Sequence, residues 1–323
     1  MQDNFARRVD YLRLSITERC NLRCRYCMPA EGIALKRCDE MLSYEQLLKV
    51  ADAASLLGIR KVRVTGGEPL VRKGITGFLR QLCAIPGLDE VTLTSNGLLL
   101  EEHAYALHEA GIRRINLSLD SLEPQTFAAI TRGGELTRVL AGIAAAEKLG
   151  LRLKLNMVVM RGVNDHELEN FAALSLDKPW SVRFIEYMPT DHDPSWRQRS
   201  VSGAEIVTRL ANRFELEELA RDNLCGPARP YRIQGAQGTL GIITPMSEHF
   251  CSSCNRVRVT ADGHARSCLL ADHALDLRPA LAGGDPFALR DILQQVILAK
   301  SAHHQLGNGQ QQPQPFAMNR IGG

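Results

Sequence analysis

The regular alternation of short apolar runs with helical stretches is what most constrains the fold of this chain. Six runs have strand character: Tyr11–Ile16, Lys61–Thr65, Glu90–Thr94, Arg113–Ser118, Leu151–Val159 and Ser181–Tyr187. Between the first two, Ser43 and Gln46 have the spacing of a capping box. Leu47, Leu48, Val50, Ala51, Ala54 and Leu57 then recur at helical period, and Gly58 can end the helix. Glu102–Ala110 before Gly111 and Leu136–Leu149 before Gly150 repeat the pattern. Such β–α units imply a parallel sheet with right-handed crossovers. A closed eight-stranded barrel takes about 250 residues. Here the alternation stops near residue 200, after six strands. The expected fold is therefore α/β: a partial (β/α)6 TIM-like barrel, with its site at the carboxyl ends of the strands.

From about residue 200 the texture changes. A helix over Gly203–Arg213 leads into short segments, Tyr231–Gln234, Thr239–Ile243, Arg256–Thr260 and His264–Ser267, that read as hairpin strands. The stretch Asp276–Lys300 reads as mostly helical, and Gln310–Pro315 as a flexible Gln/Pro-rich linker. The expected organisation is a partial barrel over 1–200, a C-terminal α+β extension over 201–309, and a linker and tail over 310–323. Hydrophobic residues make up 45% of the 323, enough for a packed core. A net charge of +3 is too mild to argue for nucleic acid or a membrane surface, but leaves room for a local cationic site. No apolar run is long enough to span a bilayer, and Met1–Arg8 lacks the apolar core of a secretory signal. A cytoplasmic protein is expected.

Nine cysteines in such a chain suit metal ligation better than disulfides. Cys20, Cys24 and Cys27 fall on one short loop directly after the first strand. Three thiolates there can hold three irons of a cubane cluster, and the fourth iron keeps an open site for a ligand. A zinc site is the competing reading, but structural zinc wants four ligands and no fourth is at hand. A second trio, Cys251, Cys254 and Cys268, reads on its own as a zinc knuckle completed by His249 or His264, or as a second three-cysteine cluster site. Cys38, Cys83 and Cys225 are singles that suit buried thiols.

Basic residues alternate with apolar ones on several strands. Arg13 lies in Leu12-Arg13-Leu14, Arg63 in Val62-Arg63-Val64, and Lys154 in Leu153-Lys154-Leu155. Arg256-Val257-Arg258 puts both guanidinium groups on one face. Charge turned into a barrel mouth is costly unless an anion meets it, and arginine suits bidentate phosphate contacts. Gly66-Gly67-Glu68-Pro69 follows the second strand, where glycine lets the backbone approach a ligand closely.

The first trio, with Tyr26 just before its last cysteine, and Gly66–Pro69 in register together resemble the radical S-adenosylmethionine superfamily. Further stretches resemble one family within it, the GTP 3′,8-cyclases of molybdenum cofactor biosynthesis. They are Leu12–Thr17, Asn116–Asp120, Asn156–Asp165, Arg183–Met188, the second trio with Asn255–Arg258, and the terminal Gly322-Gly323. The resemblance implies two 4Fe–4S clusters, the first in Cys20, Cys24 and Cys27 and the second in Cys251, Cys254 and Cys268. S-adenosylmethionine on the first cluster would yield a 5′-deoxyadenosyl radical. That radical would remove the C3′ hydrogen of GTP, and C3′ would join C8 to give (8S)-3′,8-cyclo-7,8-dihydroguanosine 5′-triphosphate.

Tyr26, Gly67, Ser118 and Met188 match S-adenosylmethionine contacts, and Arg13, Arg63, Thr94, Lys154, Arg256, Val257 and Arg258 match GTP contacts. Arg256, Arg258, Gly322 and Gly323 match residues that serve catalysis. The implied partners are a flavodoxin or ferredoxin as reductant, the cyclic pyranopterin monophosphate synthase that takes the product, and a second copy in a homodimer. Two other readings stand beside this one: a radical S-adenosylmethionine maturase of peptides or proteins with an auxiliary cluster, and a zinc-stabilised binding module.

Overall fold

The computed structural model describes residues 1–189, 196–220, 226–271, 273–283, 285, 287–304 and 318–321. The first-half strands are β1 (Tyr11–Ser15), β2 (Lys61–Thr65), β3 (Glu90–Ser95), β4 (Arg114–Ser118), β5 (Arg152–Val159) and β6 (Ser181–Glu186). The second half adds β7 (Leu216–Glu218), β8 (Arg229–Ile233), β9 (Thr239–Ile243), β10 (Arg256–Val259), β11 (His264–Arg266) and β12 (Leu275–Asp276). All belong to one sheet, in the order β12-β11-β10-β1-β2-β3-β4-β5-β6-β9-β8-β7.

The six expected strands lie side by side and parallel, but the parallel run does not stop with them. β10 joins β1, and β9 joins β6, both in parallel, so eight neighbouring strands share one direction. Antiparallel pairs complete the two edges. The extension is thus built into the barrel sheet and carries its second trio to the first strand.

Helices cover the outer face. The helix Tyr44–Leu56 starts at a full capping box: the Gln46 amide donates to Ser43 Oγ at 3.2 Å, and the Ser43 amide to Gln46 Oε1 at 2.8 Å. Its apolar stripe of Leu47, Val50, Ala51 and Ala54 is buried. The outward positions of the strands, Leu12, Leu14, Val62, Val64, Leu93, Leu117, Leu155, Val182, Phe184, Val257 and Val259, are all buried in one core with the helices. Truncating one of these to alanine should cost about 2–5 kcal/mol. Because side chains alternate along a strand, the same pairing turns the intervening polar residues inward. No described helix is long and apolar enough to cross a membrane.

Candidate active site

One cavity collects the inward-facing side chains along the whole length of the strands. The first trio lies past the carboxyl end of β1, as expected, but the second flanks the amino end of β10, beside Tyr11, Lys61 and Arg256. Strand register sets its cationic wall. Arg13 on β1 lies opposite Arg63 on β2 on one side and Arg258 on β10 on the other. One step toward the strand starts, Tyr11 lies between Lys61 and Arg256 in the same way. Across the cavity, Asn116 pairs with Thr94 and Lys154, and Asn156 with Arg183. Three neighbouring guanidinium groups in one buried row repel each other. Burial, Arg258 and Arg63 together hold Arg13 well below the usual arginine range. Burial and then Arg183, Arg114, Lys61 and Arg63 bring Lys154 down to about 6. One carboxylate, Glu90, offsets part of this charge: it accepts from Lys61 at 2.8 Å and from Arg114 at 2.8 Å. Arg63 Nε, Thr94 Oγ1 and Tyr11 Oη are buried without a hydrogen-bond partner among the described residues, which marks a wall built to meet a polar ligand.

The first trio rides on the loop after β1, and backbone contacts fix both its ends. The Gly67 amide donates to Thr17 O at 2.8 Å and the Glu68 amide to Arg19 O at 2.8 Å. A Cβ on Gly66 would sit 2.5 Å from Thr17 O, and one on Gly67 closer still to Arg19 O. The double glycine therefore lets two loops touch. Farther on, Arg132 Nη1 donates to Arg23 O at 3.0 Å and Met28 O at 2.8 Å. The Tyr26 hydroxyl donates to Asp120 Oδ2 at 2.7 Å, and Asp120 Oδ1 accepts the Val158 amide at 2.9 Å. Burial pushes Asp120 up to about 6 and Glu68 up to about 7. The thiols share this setting: burial, with Glu68 adding to it, pushes Cys20 up to about 11. Burial and then Asp120 push Cys24 well above the usual thiol range.

The second trio spans a 3-10 turn, Cys251–Ser253, Cys254 before β10, and Cys268 after β11. Arg7, buried, donates to Cys251 O at 2.8 Å and to Ser301 O at 2.8 Å. Arg256 Nη2 and Lys300 Nζ both stand 3.8 Å from Cys254 Sγ. Burial alone would raise Cys254, but the charges of Arg256 and Lys300 prevail and bring it down to about 6.

Among the described residues, the one set of three potential metal-binding side chains whose ligand atoms all lie within 4.8 Å is Glu123, His166 and Glu167. The sulfurs of neither trio gather that closely. Tetrahedral zinc, with bonds of about 2.3 Å, would bring them to roughly 3.8 Å. Each trio turns three thiols into the cavity, and three thiolates can serve three irons of a cubane, so the donor sets fit 4Fe–4S clusters. Glu167 itself is taken up by Ser121 Oγ and the Leu122 amide, each at 2.6 Å.

All six trio cysteines, Tyr26, Gly67, Ser118, Met188, Arg13, Arg63, Thr94, Lys154, Arg256 and Arg258 line this cavity. Val257 does not: alternation on β10 turns its side chain into the core, 2% exposed. Gly322 and Gly323 lie outside the described residues, although Met318, close before them, lines the cavity. Sequence reasoning passed over Arg183, Lys61, Tyr11 and Arg114, which also line it. Arg183, in Val182-Arg183-Phe184, carries the same alternation signal as Arg13.

Residues 14–174 match the family described as the Radical SAM superfamily, and residues 180–306 match Molybdenum Cofactor Synthesis C. The chain is 53% identical over 322 residues to a curated Geobacter sulfurreducens protein named GTP 3′,8-cyclase, covering 99% of each. A Moorella thermoacetica protein of the same name is 46% identical over 325 residues, covering 100% of each. Among solved structures, Streptococcus suis SuiB bound to S-adenosylmethionine aligns with TM-score 0.59 at 14% identity, over 90% of this chain and 66% of that one. The chain thus spans just under two thirds of that protein's length. Native anSMEcpe with bound AdoMet gives 0.57 at 16% identity, over 90% and 81%. At those identities the likeness is one of fold. The cysteine spacing, the parallel sheet and the full-length identity agree: the chain belongs to the GTP 3′,8-cyclase family of the radical S-adenosylmethionine superfamily.

Proposed function

We propose that this cavity carries out the reaction of its family, closure of GTP between C3′ of the ribose and C8 of the guanine, the first step of molybdenum cofactor biosynthesis. The observation that carries this reading is the row Arg258–Arg13–Arg63 across three neighbouring strands. A peptide would not call for such a row; the phosphates and purine edge of a nucleotide do.

Family members use one 4Fe–4S cluster with S-adenosylmethionine and carry a second cluster. Cys20, Cys24 and Cys27 would hold the first and Cys251, Cys254 and Cys268 the second. When bound, the first cluster with S-adenosylmethionine supplies the one-electron chemistry that removes hydrogen from C3′. The chain's own residues do the rest. Gly66 and Gly67 hold the cysteine loop against the strand ends, and Tyr26 locks onto Asp120. Gly67, Ser118 and Met188 line the side where S-adenosylmethionine would lie. Arg13, Arg63 and Lys154, with Arg183, would grip the phosphates, and Thr94 the nucleotide between them. Arg256 and Arg258 would orient the guanine end toward the second trio, with Val257 offering only backbone. Gly322 and Gly323, matched to the family's tail, would take part in catalysis.

The partners follow the same reading: a flavodoxin or ferredoxin as electron donor, the cyclic pyranopterin monophosphate synthase as acceptor of the product, a homodimeric state, and a cytoplasmic location. Residues 1–200, 201–309 and 310–323 would serve as radical-generating part, auxiliary-cluster and GTP-binding part, and tail. Anaerobic incubation of the reduced, reconstituted protein with S-adenosylmethionine and GTP tests the function. The expected products are 5′-deoxyadenosine and the cyclic nucleotide in equal amounts; 5′-deoxyadenosine without any GTP-derived product would overturn it.

A further inference from the structure

Lys300 stands in an unusual place for a lysine. It follows the helix Ala288–Leu298, and it is 4% exposed. Its ammonium donates to Arg256 O at 2.8 Å and to Ser267 O at 2.9 Å, and its third direction meets Cys254 Sγ at 3.8 Å. All three N–H bonds are thereby used. The two carbonyls belong to the residue two after Cys254 and to the residue just before Cys268. The side chain thus ties together the backbones that present two of the three thiols.

Its charge needs a counter-charge as well. A buried ammonium is costly unless paired, and among the described residues it forms no ion pair with a carboxylate. Burial works against its charge; the sulfurs of Cys254 and Cys268 favour it, while Arg7 and Arg256 oppose it. In the first trio the charged side chains that act on Cys20 and Cys24 are instead Glu68 and Asp120.

We infer that Lys300 is a positioning residue for the second cluster, fixing Cys254 and Cys268 through its three hydrogen bonds and raising the cluster's reduction potential with its buried positive charge. Reduction of a cluster adds one electron and so one negative charge, with no bond made or broken, and a cation at hydrogen-bond distance favours that form. The inference rests on the second cluster occupying Cys251, Cys254 and Cys268. That assignment fails on its own if Cys251→Ala keeps all the iron of the wild type.

The test is a redox titration of the full chain followed by electron paramagnetic resonance, with Cys24→Ala as background to silence the first cluster. Lys300→Met should lower the midpoint of the second cluster by at least a tenfold change in its reduction equilibrium, about 59 mV for one electron. Lys300→Arg should stay near the wild type. A Lys300→Met protein with full cluster content and an unmoved midpoint would overturn the proposal. If Lys300→Met loses the cluster, retention of cluster and midpoint by Lys300→Arg supports it. Loss from both variants overturns it, because a requirement of shape alone would then account for the result.

Discussion

The two cysteine trios have the same number of thiols but opposite surroundings. The loop of the first is held at one end by the amides of Gly67 and Glu68 and at the other by Arg132 on two backbone carbonyls, with no cation beside the sulfurs of Cys20 and Cys24 among the described contacts. Its charged neighbours are carboxylates, and burial pushes Cys20 up to about 11. The second is held by cations, Arg7 on Cys251 and Lys300 beside Cys254 and Cys268. There Cys254 is brought down to about 6. The difference teaches that position on the sheet decides a thiol's setting. β10 pairs with β1, and so the cationic row of the substrate cavity passes directly beside the second trio. The first trio lies at the other end of the parallel strands, past the carboxyl end of β1, with Glu68 and Asp120 near Cys20 and Cys24. A cluster among cations is easier to reduce than one among carboxylates.

The largest effects should come from removing one thiol of each trio. Cys24→Ala should lose about half the iron and all cleavage of S-adenosylmethionine. Cys254→Ala should also lose about half the iron, keep cleavage, and form no cyclic nucleotide. Iron and sulfide counting with chromatography of the two products separates the cases, and equal loss of both products in both variants would break the comparison.

Next in size is the cationic row that joins the trios. Arg63→Ala removes a charge-assisted contact worth roughly 1.5–3 kcal/mol, so calorimetry should find GTP bound about 10- to 100-fold more weakly. The same variant relieves repulsion within the row, so its unfolding temperature without GTP should not fall. A parallel loss of stability would mean that Arg63 serves the fold rather than the ligand.

Gly67→Ala sharpens the contrast in how the trios are held. Its methyl would press on the Arg19 carbonyl, a distortion costing about 1–3 kcal/mol. The first cluster should be lost on mild chelation while the second persists. Equal lability of both clusters would contradict a role confined to the first loop.

The smallest effect is a proton. Lys154 has a folded-state value near 6 against 10.5 for the ordinary side chain, so in the absence of ligand it is mostly neutral above pH 6. The unfolded chain then binds more protons than the folded one, and this group adds stability as pH rises from 6 toward 10. A triphosphate beside it restores the charge. GTP binding near ~pH 7.5 should take up close to one proton, and affinity should fall as pH rises. Calorimetry in buffers of different ionisation heat measures the uptake, and Lys154→Met should abolish it.

Much of this was legible from local pattern. Period-two alternation exposes Arg13, Arg63, Lys154, Arg256 and Arg258 as inward residues and Leu12 or Val64 as core. The capping box announces the helix at Ser43. The pairing of β10 with β1 and of β9 with β6 was not legible, because parallel contacts between strands far apart in the chain leave no local trace. For that reason the second half reads as separate hairpins, and the row Arg258–Arg13–Arg63 emerges only in three dimensions. Gly66-Gly67 reads as room for a ligand; it lines the cavity and also admits the carbonyls of the cysteine loop, which the sequence did not show. Lys300 sits in no motif at all; the register of a distant helix end brings it to Cys254.

In the proposed reaction one trio makes the radical and the other, with its cations, holds the GTP to be closed. The most direct measurement is the product ratio of the Cys268→Ala protein, reduced and reconstituted without oxygen in the presence of S-adenosylmethionine and GTP. The account predicts 5′-deoxyadenosine with no 3′,8-cyclic nucleotide; cyclic nucleotide formed in the wild-type ratio to 5′-deoxyadenosine would contradict it.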